Sequence, residues 1–172
     1  QKRYSDVLVS YKGELDRAKA LFEKGKDKNI VSKYKPPIAG SIAWKRAIFH
    51  RIKNPILRFQ TRPDVWEPDE IKLRRDEYKM FAKQLDAYEK SRFDEWEKKI
   101  NEKAIKLLKK KILIKKGHNH YEVNFSNEFR VLINEAKYLD KMGYKLSKTI
   151  LNSALQEKEY YRYVDKLNKM LM

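Results

Sequence analysis

The sequence predicts a mainly α fold, an elongated helical bundle with one long helix and a small β-hairpin at about residues 111–125. Three observations predict it. Apolar residues recur three, four or seven apart over most of the 172 residues, the period of a helix face. From Asp69 to Lys109 there is neither Pro nor Gly. One stretch alone, after Lys110, switches to the alternation of a strand.

The elements follow in order. Tyr4, Leu8, Tyr11, Leu15, Ala18 and Phe22 form a heptad-like seam, so a helix is expected to about Lys24, ended by Gly25-Lys26-Asp27-Lys28-Asn29. Residues 30–35 read as an extended lead-in. Pro36 and Pro37 cannot lie inside a helix but suit its start. After them Ile38, Ile42, Phe49, Ile52, Ile56 and Phe59 make one apolar stripe, and Trp44 and Ile48 a second. A helix that is apolar on two sides is packed on two sides, which makes residues 38–59 the expected central helix. Gly40 in its first turn admits a close neighbour, Trp44 and Phe49 are expected to be buried on different sides, and Pro55 is expected to kink the last turn or divide it from the rest.

Residues 61–69 form a connection stiffened by Pro63 and Pro68, with Trp66 as an anchor. The Pro- and Gly-free stretch carries a seam of Tyr78, Phe81, Leu85 and Tyr88, then one of Phe93, Trp96, Ile100, Ala104 and Leu107. The step of five between them shifts the stripe, so one long helix is expected, either continuous or bent near Glu89 to Arg92. These rings are expected to face neighbouring helices. Pairs such as Glu95–Lys99 support the solvated face. Ile112 to Lys115 should pair antiparallel with Tyr121 to Phe125 around Gly117. Ser126 suits an N-cap, Phe129, Leu132, Ile133, Ala136 and Leu139 form the next buried stripe, and Gly143 suits the position just past the helix end. Ser147 caps a last helical segment, either continuous or divided near Gln156. The expected division is 1–110, 111–125 and 126–172, with no internal repeat. The chain begins at Gln1 without a signal-like run, and a fragment of a larger protein is expected.

Composition bounds the function. Lys and Arg number 41 against 24 Asp and Glu, a net charge of +17. Such a balance fits an acidic partner, but the Lys residues are spread over nearly every segment, as on solvated helix faces. There is no Cys, which removes disulfide and thiolate chemistry and fits a reducing compartment. No apolar run approaches a membrane span. Gly25-Lys26 lacks the flanking Gly and Ser/Thr of a phosphate loop, since Ala20 and Asp27 stand in those places. His118 and His120 have only Glu122 nearby, too few ligands for zinc, so the pair reads as turn. No catalytic residue, cofactor site or metal site is expected. Nine Lys against one Glu between Lys98 and Lys116 raise a nucleic-acid alternative, but the aromatics fall on apolar stripes rather than along a basic groove.

Two blocks carry a family resemblance. Pro36-Pro37-Ile38-Ala39-Gly40-x-Ile42-x-Trp44 runs on to Phe49-x-Arg51-Ile52-x-x-Pro55-Ile56-x-x-Phe59. Val123-Asn124-Phe125 leads through Leu132-Ile133-x-Glu135-Ala136-Lys137-Tyr138-Leu139 to Met142-Gly143-Tyr144. In order and spacing they resemble the N-terminal tail, or stem, of dynein heavy chains, the axonemal more than the cytoplasmic, over about residues 30–172. Ser126 stands where the family usually has Asp, and both cap helices. The resemblance implies a non-catalytic scaffold within an ATP-driven microtubule motor whose ATP and Mg sites lie elsewhere in the heavy chain. It implies as partners other heavy chains, intermediate and light chains, and a docking complex or the doublet microtubule. It places the chain in the cytoplasm, on the cytoskeleton of a cilium or flagellum, with no membrane partner.

Overall fold

The computed structural model describes residues 2–28, 35–60, 68–108 and 111–171. Within these the chain is mainly α. Helices α1 (Lys2–Gly25), α2 (Pro37–Gln60) and α3 (Pro68–Leu108) precede strands β1 (Leu113–Lys115) and β2 (Tyr121–Val123), and α4 (Asn127–Lys141) and α5 (Lys148–Leu171) follow. The long helix is one continuous element, and so is α5 through Gln156. Helix α2 also continues through Pro55 to Gln60. The lead-in to Tyr34 and the connection with Trp66 lie outside the described residues, as do the side chains of Tyr4, Phe59, Ala104, Leu107 and Leu155.

The chain forms two compact units, and the division falls inside α2 and inside α3. One holds residues 1–32 and 40–92, the other 33–39 and 93–172. The hairpin and both helices after it lie in the second.

In the first unit the α1 seam packs as expected. Leu15, Ala18 and Phe22 meet Ile48 and Ile52 of α2 and Phe81 and Leu85 of α3. Trp44 and Phe49, expected to be buried, are half-buried at the margin of this core, which the aliphatic Ile48 and Ile52 fill instead. Trp44 stacks on Phe22 at 5.9 Å and meets Tyr88 edge-on at 6.2 Å, while Phe49 stacks on Tyr78 at 6.3 Å. Three helices meeting along a seam leave the narrowest space at the centre, and β-branched side chains fill it without the reach of an indole. Gly25 closes α1 for a steric reason as well. A Cβ there would fall 2.5 Å from Trp44 Cζ2.

In the second unit, Trp96 and Ile100 of α3 are buried with Phe129, Leu132, Ile133, Ala136 and Leu139 of α4 and Ile150, Ala154 and Val164 of α5. The Trp96 indole N–H donates to the Leu132 carbonyl at 3.2 Å, so its one polar atom is satisfied. Phe93 stacks on Tyr144 at 4.4 Å. The Ser126 side chain accepts from the Phe129 N–H, as an N-cap does. Gly143, at φ +93°, donates to the Asp140 carbonyl, and the Tyr144 N–H reaches Leu139. That 6→1 and 5→2 pair is a Schellman ending, which needs a left-handed residue at this position. Ser147 starts α5, with the Leu151 N–H on its carbonyl at 3.1 Å.

The hairpin is antiparallel as expected, and its register sets Leu113 opposite Val123 and Lys115 opposite Tyr121, with Gly117 at φ +75° in the turn. Flanking bonds run from Lys116 N–H to the His120 carbonyl and from Asn124 N–H to the Ile112 carbonyl. On the outer side of β2 the Asn168 carboxamide of α5 accepts from the Tyr121 N–H at 2.7 Å and donates to its carbonyl at 2.9 Å.

Candidate functional site

Buried polar groups are where a helical fold departs from simple packing. Among the described residues the buried polar side chains are Ser41, Lys45 and Glu135. The second and third build two clusters.

The first begins with a deficiency in α2. A helix leaves its first backbone N–H groups without internal partners. Pro37 has no N–H, so the unpaired donors begin at Ile38 and Ala39, and Pro36 before them has no side-chain oxygen to cap with. Glu135 of α4 supplies the missing acceptor. Its two oxygens accept from Ile38 N–H and Ala39 N–H, each at 2.8 Å. A carboxylate at a helix N-terminus also meets the positive end of the dipole. Glu135 is 1% exposed, and burial pushes its carboxyl above the usual range more strongly than the two N–H bonds pull it down.

The second cluster lies in the first unit. Lys45, 4% exposed, donates to Asp86 at 2.7 Å and to Glu89 at 3.0 Å, one turn apart on α3. Arg46 reaches Glu89 with two nitrogens at 3.1 and 2.7 Å. The Lys45 ammonium also stands 5.3 Å from the Phe49 ring centroid. Elsewhere in this unit the Tyr11 hydroxyl donates to the Ile52 carbonyl at 3.3 Å, and burial pushes the phenol up. Every charge in both clusters is met by a protein partner, so the arrangement holds helices in register.

The sequence-predicted motif residues are distributed between these places. Pro36, Pro37 and Leu139 flank the Glu135 cap, and Leu132 lies one turn before Glu135 on the same buried stripe. Ile52 is at the core of the first unit, Gly40 is buried, and Pro55 is half-buried in the helix body. Phe125 packs edge-on against Phe129 and Tyr160. Sequence reasoning missed Lys45 and Glu135 as buried groups. The signal was present, since Lys45 is three from Ile42 and Ile48, and Glu135 three from Leu132 and four from Leu139.

The other candidates remain apart. Lys26 pairs with Glu23 at 2.6 Å, and that bond raises its pKa. His118 and His120 are exposed in the hairpin turn, with His120 at 3.7 Å from Glu122. Among the described residues no group of three His, Cys, Asp or Glu could hold a metal. No described helix is long and apolar enough to cross a membrane.

Comparison with known proteins supplies the family. A family model described as dynein heavy chain, N-terminal region 1, matches residues 1–172. The chain is 30% identical to dynein axonemal heavy chain 10 of Homo sapiens over 96% of its own length and 4% of the relative's. It is 33% identical to the dynein-1-alpha heavy chain, flagellar inner arm I1 complex, of Chlamydomonas reinhardtii over 77% of its own length and 3% of the relative's. With the dynein gamma chain, flagellar outer arm, of the same organism it shares 27% over 99% of its length, again 4% of the relative. The chain thus spans a small part of the length of these relatives, and the resemblance read from its two blocks is shown on the axonemal side. A match from the first residue to the last, beside a human relative at 30% identity over nearly the whole chain, establishes that this chain belongs to the dynein heavy chain family, in N-terminal region 1.

Proposed function

We propose that this segment is a non-catalytic part of the tail of an axonemal dynein heavy chain. It acts as a scaffold through which heavy chains associate with one another and with intermediate and light chains. The motor is thereby anchored to the doublet microtubule in a cilium or flagellum. The observation that carries the reading is the full-length match to N-terminal region 1 together with axonemal relatives of both inner and outer arms. The structure is consistent with a mechanical role. Its buried charges, Lys45 and Glu135, tie helices to one another. The segment itself needs neither nucleotide nor metal, and ATP and Mg serve the motor elsewhere in the heavy chain. Phe81 and Trp96, rings that a single-strand binder would expose, are spent on packing instead, at 2% and 1% exposure.

The test is recovery of the tagged segment from ciliated cells at physiological salt, followed by mass spectrometry of what comes with it. Heavy, intermediate and light chains of an axonemal dynein are the expected companions, because such contacts rest on apolar area as well as charge. Recovery of nucleic acid with no dynein subunit would overturn the reading.

A further inference from the structure

The facing sides of α4 and α5 leave an open groove of about 670 Å³. Arg130 and Val131, four and three residues before Asn134, line it with Asn134 from α4, and Lys158, Tyr161 and Arg162 line it from α5. From this geometry we infer that the groove docks an extended acidic segment of a partner protein.

Charge comes first. Four cations, with Lys137 the fourth, line the groove against one carboxylate, Glu157. Glu157 is already engaged, with Lys137 at 2.8 Å and Arg130 at 3.6 Å, so it positions the cations more than it cancels the groove's field. Lys158 and Arg162 take no acidic partner in the described ion pairs. Shape comes next. The Arg130 guanidinium lies over the Tyr161 ring at 4.9 Å, which fixes its plane. A guanidinium held in this way meets a carboxylate through two parallel N–H bonds. Val131, 50% exposed among these charges, offers an apolar foothold, and the Asn134 amide can bond a peptide backbone.

The same features disfavour other occupants. A second copy of a chain carrying +17 is repelled. A nucleic-acid strand needs free ring faces for its bases, and the ring in the groove is covered by Arg130. An acidic segment would fit the groove whichever assembly the chain serves, so its docking stands apart from the tail reading.

The test is fluorescence anisotropy of a labelled peptide, six Asp and Glu residues around one Leu, titrated with the whole 172-residue chain at about 0.15 M salt. The double variant Lys158→Glu/Arg162→Glu should weaken binding by about tenfold or more, as reversal of close interfacial charge does. Val131→Glu, which changes no cation, should do the same. Lys12→Glu/Lys24→Glu, the same change of net charge on exposed positions of α1 outside the groove lining, should change it by no more than about twofold, because the groove keeps its own cations. Circular dichroism checks that each variant keeps its helix content, and Val131→Glu decides if the double variant does not. Failure of the unmodified chain to bind, or equal losses for groove and α1 variants, would overturn the inference. So would an eight-nucleotide single strand that binds more tightly than the peptide and is lost with the same groove variants.

Discussion

Replacing Glu135 with Ala tests whether one side chain of α4 holds the start of α2. The change strips the acceptor from two N–H groups at once. Ala39 is fully buried, so its N–H has no water to turn to, at a cost of about 1–3 kcal/mol. The half-buried Ile38 N–H recovers part of its loss, and the vacated methylenes add a small cavity. Release of a buried carboxyl offsets some of this, leaving about 3 kcal/mol, or roughly 6–12 °C in Tm for a chain of this size. The pH dependence sharpens the test. Glu135 titrates above the ordinary carboxylate range, so its contribution is complete below that range and is lost as pH rises through the raised value. Alanine does not titrate. Glu14, Glu122 and Glu128, held low by bonds to Arg51, Lys116 and Lys103, shift stability the other way but equally in both chains. Thermal melts from about pH 4 to pH 8 should therefore show a gap that is widest at the acid end. A gap that widens with pH would mean that the two N–H bonds outweigh desolvation. No gap at any pH would refute the cap itself.

Two further substitutions probe the first unit. Gly25→Ala ordinarily stabilises a helix by about 0.5–1 kcal/mol, but here the new methyl meets the Trp44 ring, so a loss of about 1–2 kcal/mol with altered tryptophan fluorescence is expected. A stabilised variant would show that the ring shifts freely. Lys45→Ala removes the ammonium that Glu89 and Asp86 share and should cost about 2 kcal/mol in urea unfolding. That is less than a fully isolated buried pair, since Asp86 is 70% exposed, and an unchanged midpoint would contradict it.

The helices were legible because their apolar spacing is a local property. The seam from Tyr11 to Phe22 and the stripe from Phe129 to Leu139 both appear on the faces expected. The hairpin was legible from its change of period, and the ends of α4 from Ser126 and Gly143, whose roles depend on immediate neighbours. What escaped was whatever depends on a distant partner. Spacing shows that Glu135 shares a stripe with Leu132 and Leu139. It does not show that an uncapped helix start, 96 positions away, lies opposite. Lys45 escaped for the same reason, its partners being 41 and 44 positions on. Trp44 and Phe49 were misjudged because ring size suggests a central place, whereas the seam between three helices favours Ile48 and Ile52 and leaves the rings to pack at its margin.

The bonds between Asn168 and Tyr121 carry a consequence for solubility. His120 and Asn124 turn their backbone groups toward β1, so Tyr121 between them presents its N–H and C=O on the free side of the ribbon. An open strand edge is a template on which another chain can add a strand. The carboxamide at 168 occupies those two groups as a peptide unit of a third strand would. Two strands alone are marginal in water, and one side chain of α5 both steadies the ribbon and blocks this edge at Tyr121. Asn168→Leu would leave a well-packed helix but an unguarded edge.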